Sequence, residues 1–224
     1  MRSWLTGTWA VLRKDIELEF RTRYAVNMLL VFVAASLLVV ALAVGRGTLR
    51  PEMQSGLLWI VVFFSAAVGL GRGFVAEEDG GTTLVLRMHV PGSAVYAGKL
   101  LFTYLLLLAV DLVATFGFVI LLNMDVAQGV LLGTVLSLGS LGLAGATTLL
   151  SAIIARAANR GPLLPVLLFP LLFPLLLTVV SASAAALEGG GGWSGAAGGL
   201  RIIVAFSGVV ITGAVLLFEY IWED

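Results

Sequence analysis

Of the 224 residues, 60% are hydrophobic and only 12% charged, against about 45–50% and about 25% in ordinary soluble domains. Mean hydropathy is +1.08. So few charges cannot coat a globule of this size in water, which excludes a soluble enzyme and a disordered chain. Thirteen Lys and Arg against thirteen Asp and Glu leave no global basic field to hold nucleic acid. No cysteine and a single histidine exclude disulfide, thiol and multi-histidine metal chemistry. What remains is an all-α polytopic membrane protein.

In residues 1–24, Leu5, Trp9, Leu12, Ile16 and Phe20 recur at steps of three to four, while Arg13, Lys14, Glu17 and Arg21 point elsewhere. That period predicts an amphipathic helix lying in the membrane interface, apolar side down. A plain cytoplasmic extension of the first span is the alternative; Trp4 and Trp9 suit the headgroup layer and favour the surface helix. Residues 25–224 read as a six-helix transmembrane domain. Stretches of about 20 apolar residues, enough to cross a bilayer, fall at 25–44, 56–74, 99–122, 128–155, 163–187 and 200–218. The first begins too far into the chain, and lacks the small-residue cleavage site, to read as a signal peptide. Between the last two spans, 188–199 is glycine-rich and predicts a flexible linker.

Ten Lys and Arg fall on the N-terminal side of these spans and three on the other. The excess of positive charge predicts both termini in the cytoplasm.

Chemistry is sparse. Gly98-Lys99 is followed by Leu100 and preceded by Ser93 where a phosphate-binding loop requires Ser or Thr and Gly. Neither a Ser/His/Asp set nor a carboxylate pair lies within the spans. The chain is expected to be no enzyme and to hold no cofactor or metal, so energy must enter from a partner or an ion gradient.

The connection at 77–93 is the most informative. Glu77, Glu78 and Asp79 end the second span, and Gly80-Gly81 allow a turn. Thr82 or Thr83 then starts a short helix, with Leu84, Val85 and Met88 as its apolar side, that must stop before Pro91. Such a segment suits a cytoplasmic coupling element or a plain surface loop. Ser93 is a candidate cap for the third span. Asp111 lies mid-span, where a carboxylate needs a cavity or a hydrogen-bond partner; Thr115, one turn on, is the local candidate. It lines a path or gate, or it ties two spans together. Pro170 and Pro174 each free a carbonyl inside the fifth span and mark a kink or hinge. The fourth span is rich in small residues, Gly129, Gly133, Gly139, Gly142, Gly145 and Ala146, and Gly129 with Gly133 forms a G-x-x-x-G pair; these mark close helix packing, within the chain or between two copies.

The run Leu58-Trp59 through Phe63-Phe64-Ser65, Gly69-Leu70-Gly71-Arg72 and Phe74, then Glu77, Gly81, Leu84, Pro91 and Gly98-Lys99-Leu100-Leu101, resembles the haem exporter protein B (CcmB) family. So do the proline-rich 163–174 and the ending Leu217-Phe218-Glu219-Tyr220 with Trp222-Glu223. The resemblance implies a type-2 ABC-exporter transmembrane domain in the bacterial inner membrane, two copies facing each other over two ATPase subunits. It implies CcmA as the ATPase, CcmC and CcmD as membrane partners, ATP bound at the ATPase, haem as cargo, and release of the haem-loaded chaperone CcmE. The residues alone leave two alternatives: a stand-alone secondary transporter or channel using Asp111, or an ABC exporter subunit for lipid-linked sugar or drug.

The charge asymmetry yields a topology test. Reporter fusions after Asp224 and within 189–192 are expected on opposite sides of the membrane; finding both on one side refutes six spans.

Overall fold

The computed structural model describes residues 2–45, 47, 49–70, 74, 77, 88, 90–155, 163–188 and 192–223, the backbone alone at 2, 3, 70 and 220–223. Helix α1 (Arg2–Thr22) is followed by α2 (Tyr24–Val44), α3 (Pro51–Ser65), α4 (Gly92–Leu122), α5 (Gly129–Ala155), α6 (Leu163–Glu188) and α7 (Gly192–Glu223). Among the described residues there is no strand. From α2 to α7, six helices are long and apolar enough to cross a membrane.

A single residue separates α1 from α2. Arg23 takes the left-handed conformation, φ 52°, which disfavours a side chain by roughly 1–2 kcal/mol. Local bonds hold it there. Its N–H donates to the Glu19 carbonyl at 2.6 Å, and the Glu19 carboxylate accepts the Val26 N–H at 2.8 Å. Glu19 thereby caps the free N–H groups at the start of α2 from the preceding helix.

The helix ends differ from the hydropathy boundaries for local reasons. Pro51 sits in the first turn of α3, where its missing N–H is harmless, so the helix starts five residues before Gly56. It passes into one π-helical turn over Ala66–Leu70. Helix α4 begins at Gly92, directly after Pro91. Ser93 does not cap it; its hydroxyl accepts the Trp4 indole N–H at 3.2 Å. Helix α7 begins at Gly192, so 192–199 is helical, not a linker. Packing offsets the backbone entropy of its glycines: Ala196 is buried, and a Cβ on Gly199 would lie 3.4 Å from Ala182.

The six long helices pack around α5. In its most apolar window 78% of residues are buried, against 17% for α2 and for α7, so α5 is the axis and those two are peripheral. With lipid as solvent, helices adhere by close van der Waals fit, and small residues permit it. Three glycines one turn apart do this on α5. A Cβ at Gly139 would fall 2.4 Å from the Trp59 ring, at Gly142 2.6 Å from Ser207 Oγ, and at Gly145 3.0 Å from Ile211. By contrast, among the described residues nothing lies within 4 Å of a Cβ at Gly129 or Gly133, so there the G-x-x-x-G pair seats no helix. Leu29 and Leu37 of α2 sit over Gly69 and Gly117. Interhelical hydrogen bonds add to the fit: Trp59 Nε1–H donates to Ser183 Oγ at 2.9 Å and Tyr96 O–H to the Gly145 carbonyl at 3.1 Å.

A second, smaller core gathers Val11, Phe74, Val95, Tyr96, Leu100, Ala152, Ala155, Ala214 and Phe218. Apart from Phe74, which follows α3, these residues come from α1, the start of α4 and the ends of α5 and α7, so this end of the bundle is the one carrying the N-terminal segment.

Gly139 faces a tryptophan that is 1% exposed and hydrogen-bonded, so the ring cannot yield. Gly139→Ala is expected to destabilise the folded chain in detergent by about 1–3 kcal/mol, the range for overpacking. Gly133→Ala is expected to be neutral. Thermal midpoints of the two variants check the contrast.

Candidate functional site

Helix α1 lies against the first turns of α4, and glycine sets the spacing. A Cβ on Gly98 would sit 2.9 Å from the Thr8 carbonyl and 2.8 Å from Val11 Cβ. Thr8, Val11, Leu12 and Asp15 form the buried face of α1, while Leu5, Trp9 and Phe20 remain exposed. This approach brings Asp15 to Lys99, the residue after Gly98.

Lys99 is 4% exposed. Its Nζ lies 2.9 Å from Asp15 Oδ2 and 2.7 Å from Glu77 Oε1. Lys14, partly open to solvent, pairs with the same Glu77 oxygen and lies 3.5 Å from Asp15 Oδ1. Two cations and two anions thus alternate in a closed cluster of zero net charge. Phe74 covers it, its ring centroid 5.2 Å from Lys99 Nζ. Phe74 meets Phe218 in a tilted ring contact with centroids 5.3 Å apart, and Phe218 meets Tyr96 likewise at 5.5 Å.

Burying unpaired ions costs several kcal/mol each, and mutual pairing is what offsets it. Burial pushes the Glu77 carboxyl upward, but the Lys99 and Lys14 cations outweigh burial and hold it below its ordinary value of 4.5.

Of the residues expected to form a coupling loop, Glu77 turns inward: its charge is met by Lys99 and Lys14 of its own chain. Met88 is 81% exposed. Glu78, Asp79, Leu84 and Val85 lie outside the described residues, as do Thr82, Thr83 and His89. Asp15 and Lys99 were not singled out by the sequence reading as site residues. The available signal was a lysine just inside a long apolar run, which demands a counter-ion, and an acid between Leu12 and Ile16 on the apolar side of α1.

Asp111 is 2% exposed between α4 and α5. Ser140 O–H donates to its Oδ2 at 2.7 Å; its Oδ1 and the Thr115 hydroxyl make no hydrogen bond among the described residues. The partner is therefore a serine on the neighbouring helix and not Thr115. Two apolar grooves of about 350 and 670 Å³ run along α2, and Asp111 lines neither. Helix α6 continues through Pro170 and Pro174, both on the exposed side away from buried Leu168, Leu172 and Leu175.

Six membrane-length apolar helices, tied at one end to an N-terminal helix by a buried ionic cluster, define a multi-pass membrane protein. The sequence matches the CcmB protein family over residues 6–219. It is also 31% identical over 189 residues to heme exporter protein B of Bradyrhizobium diazoefficiens, covering 83% of this chain and 84% of the relative. The chain belongs to the CcmB family.

The lowered Glu77 value has a definite sign. Its contribution to stability is complete above 4.5 and is lost as pH falls through the lower folded value. Protection of α1 from protease is expected to hold from neutral pH down to that range and then decline. Glu77→Gln is expected to lower protection at neutral pH and to flatten the acid decline; an unchanged acid profile would exclude Glu77 as its source.

Proposed function

We propose that this chain is the membrane-spanning subunit of an ATP-driven haem exporter serving cytochrome c maturation in the bacterial inner membrane, with both termini in the cytoplasm. The observation that carries the reading is the CcmB family match over 6–219, supported by the heme exporter relative.

The residues suit a subunit that converts force and does no chemistry of its own. No phosphate-binding loop is present in the sequence, so ATP is hydrolysed by a partner, a CcmA-like ATPase. That partner docks at the end where α1 crosses α4, on the segment from Glu77 through Met88. Two copies of the chain face each other in a type-2 exporter arrangement, with CcmC-like and CcmD-like subunits alongside. The cycle moves haem, or frees the haem-loaded chaperone CcmE. Haem is cargo here, and this chain binds no cofactor. Helix α1 rests in the interface, with Leu5, Trp9 and Phe20 toward lipid. Asp111, held by Ser140, ties α4 to α5; that closed geometry favours this reading over a secondary transporter using Asp111 as its ion site.

An exposed apolar anchor at an interface is worth about 2 kcal/mol or more, or roughly thirtyfold in affinity. Leu84→Asp with Met88→Asp is therefore expected to detach the ATPase during co-purification while the subunit still inserts. Deleting the chain is expected to abolish c-type cytochrome assembly, and the native chain to restore it. Normal assembly without the chain overturns the reading; retention of the ATPase by the inserted double variant overturns the docking segment.

A further inference from the structure

We propose that Asp15, Glu77 and Lys99, with Lys14 at the rim, form a rigid joint that makes α1, Glu77 and α4 move as one body, so that displacement of Glu77 is delivered to two helices at once. The inference rests on the ATP-driven reading for where the displacement originates, but the joint itself stands on geometry.

Each ion of the cluster is shared. Lys99 Nζ contacts Asp15 and Glu77 at 2.9 and 2.7 Å, and Lys14 contacts the same two acids. Glu77 cannot leave without stripping Lys99 of one of its two counter-ions in a site that is 4% exposed, where an uncompensated charge is strongly unfavourable. Asp15 is equally committed, since α1 is held to α4 by Gly98 beneath Thr8 and Val11. Phe74 closes the cluster over Lys99 and carries it into the aromatic contact with Phe218 of α7. An ordinary membrane-helix contact slides at small cost; three buried ions closed by a fourth at the rim resist partial displacement. Lys99, Asp15 and Glu77 are in this sense positioning residues.

Removing one ion strands the others, so single substitutions risk failing to fold. The informative variant is Asp15→Asn, Glu77→Gln and Lys99→Met together, which removes the buried charges while keeping the stems and leaves Lys14 to solvent. The chain has no cysteine, so nitroxide labels on Arg13→Cys of α1 and Leu101→Cys of α4, both exposed, report one distance without background. In the native cluster that distance is expected to be narrow, and the same with and without an ATP analogue in the ATPase complex. In the neutral variant the distribution is expected to broaden, ATP hydrolysis to continue, and cytochrome c maturation to fall about tenfold, the scale of a typical coupling free energy. A neutral variant with native distances or full maturation overturns the joint, as does a native distance that shifts with nucleotide. If the native chain proves to have no ATPase partner, the functional reading fails, and the width comparison on the isolated chain still decides the joint.

Discussion

An ammonium ion cannot be left dry and unpaired, and Lys99 is dry. Much of the architecture at the N-terminal end follows from that constraint. To reach Lys99, Asp15 must come within hydrogen-bond distance, so α1 has to lie close against α4, and Gly98 is the residue that allows it. A second carboxylate, Glu77, completes the neutralisation and draws the chain beyond α3 to the same point. Replacing such a cluster by apolar side chains is often neutral or stabilising, whereas breaking it is costly. Its presence therefore says more about which elements must stay together than about overall stability.

The rest of the bundle is held on a different principle. Around α5 the contacts are between small residues and large ones: Gly139 against Trp59, Gly142 against Ser207, Gly145 against Ile211. Lipid is as apolar as leucine, so burial of leucine side chains gives these helices little preference for one another. Shape and a few satisfied polar pairs must supply it. Trp59–Ser183, Tyr96–Gly145 and Ser140–Asp111 each join two different helices. Asp111 belongs to this set.

Hydropathy made the six spans and the all-helical class legible, because twenty consecutive apolar residues have few other fates. Helix ends were less so. Pro51 and Gly92 extend α3 and α4 beyond the apolar runs, and the glycine-rich 192–199 is helical with Gly199 against Ala182 and Thr178 of α6, a tertiary fact absent from local composition. The close-packing glycines were legible as a set, since Gly139, Gly142 and Gly145 belong to the small residues of the fourth span, but which of the set meet a neighbour was not. The G-x-x-x-G spacing at Gly129 and Gly133 matches a motif, yet whether a neighbour fills the space depends on the partner helix. Of the site, Asp111 was legible as an acid in apolar surroundings, whereas Glu77 read as a loop acid facing a partner and is instead met by Lys99 and Lys14. Asp15 was hidden because it lies 84 residues from Lys99, and an amphipathic period assigns charged residues outward by default.

The elbow at Arg23 joins these two modes of cohesion. Helix α2 touches the bundle mainly through Leu29, Val33 and Leu37, the first and last seated over Gly69 and Gly117, and most of its surface is open. Helix α1, by contrast, is fastened by ions. Between them stand one left-handed residue and the Glu19 cap on Val26, with no loop to absorb a change of angle. The direction of α2 is therefore set from two sides, by the seats that Gly69 and Gly117 give to Leu29 and Leu37 and by the elbow at Arg23, and the second constraint leads back through α1 and Asp15 to the charge on Lys99.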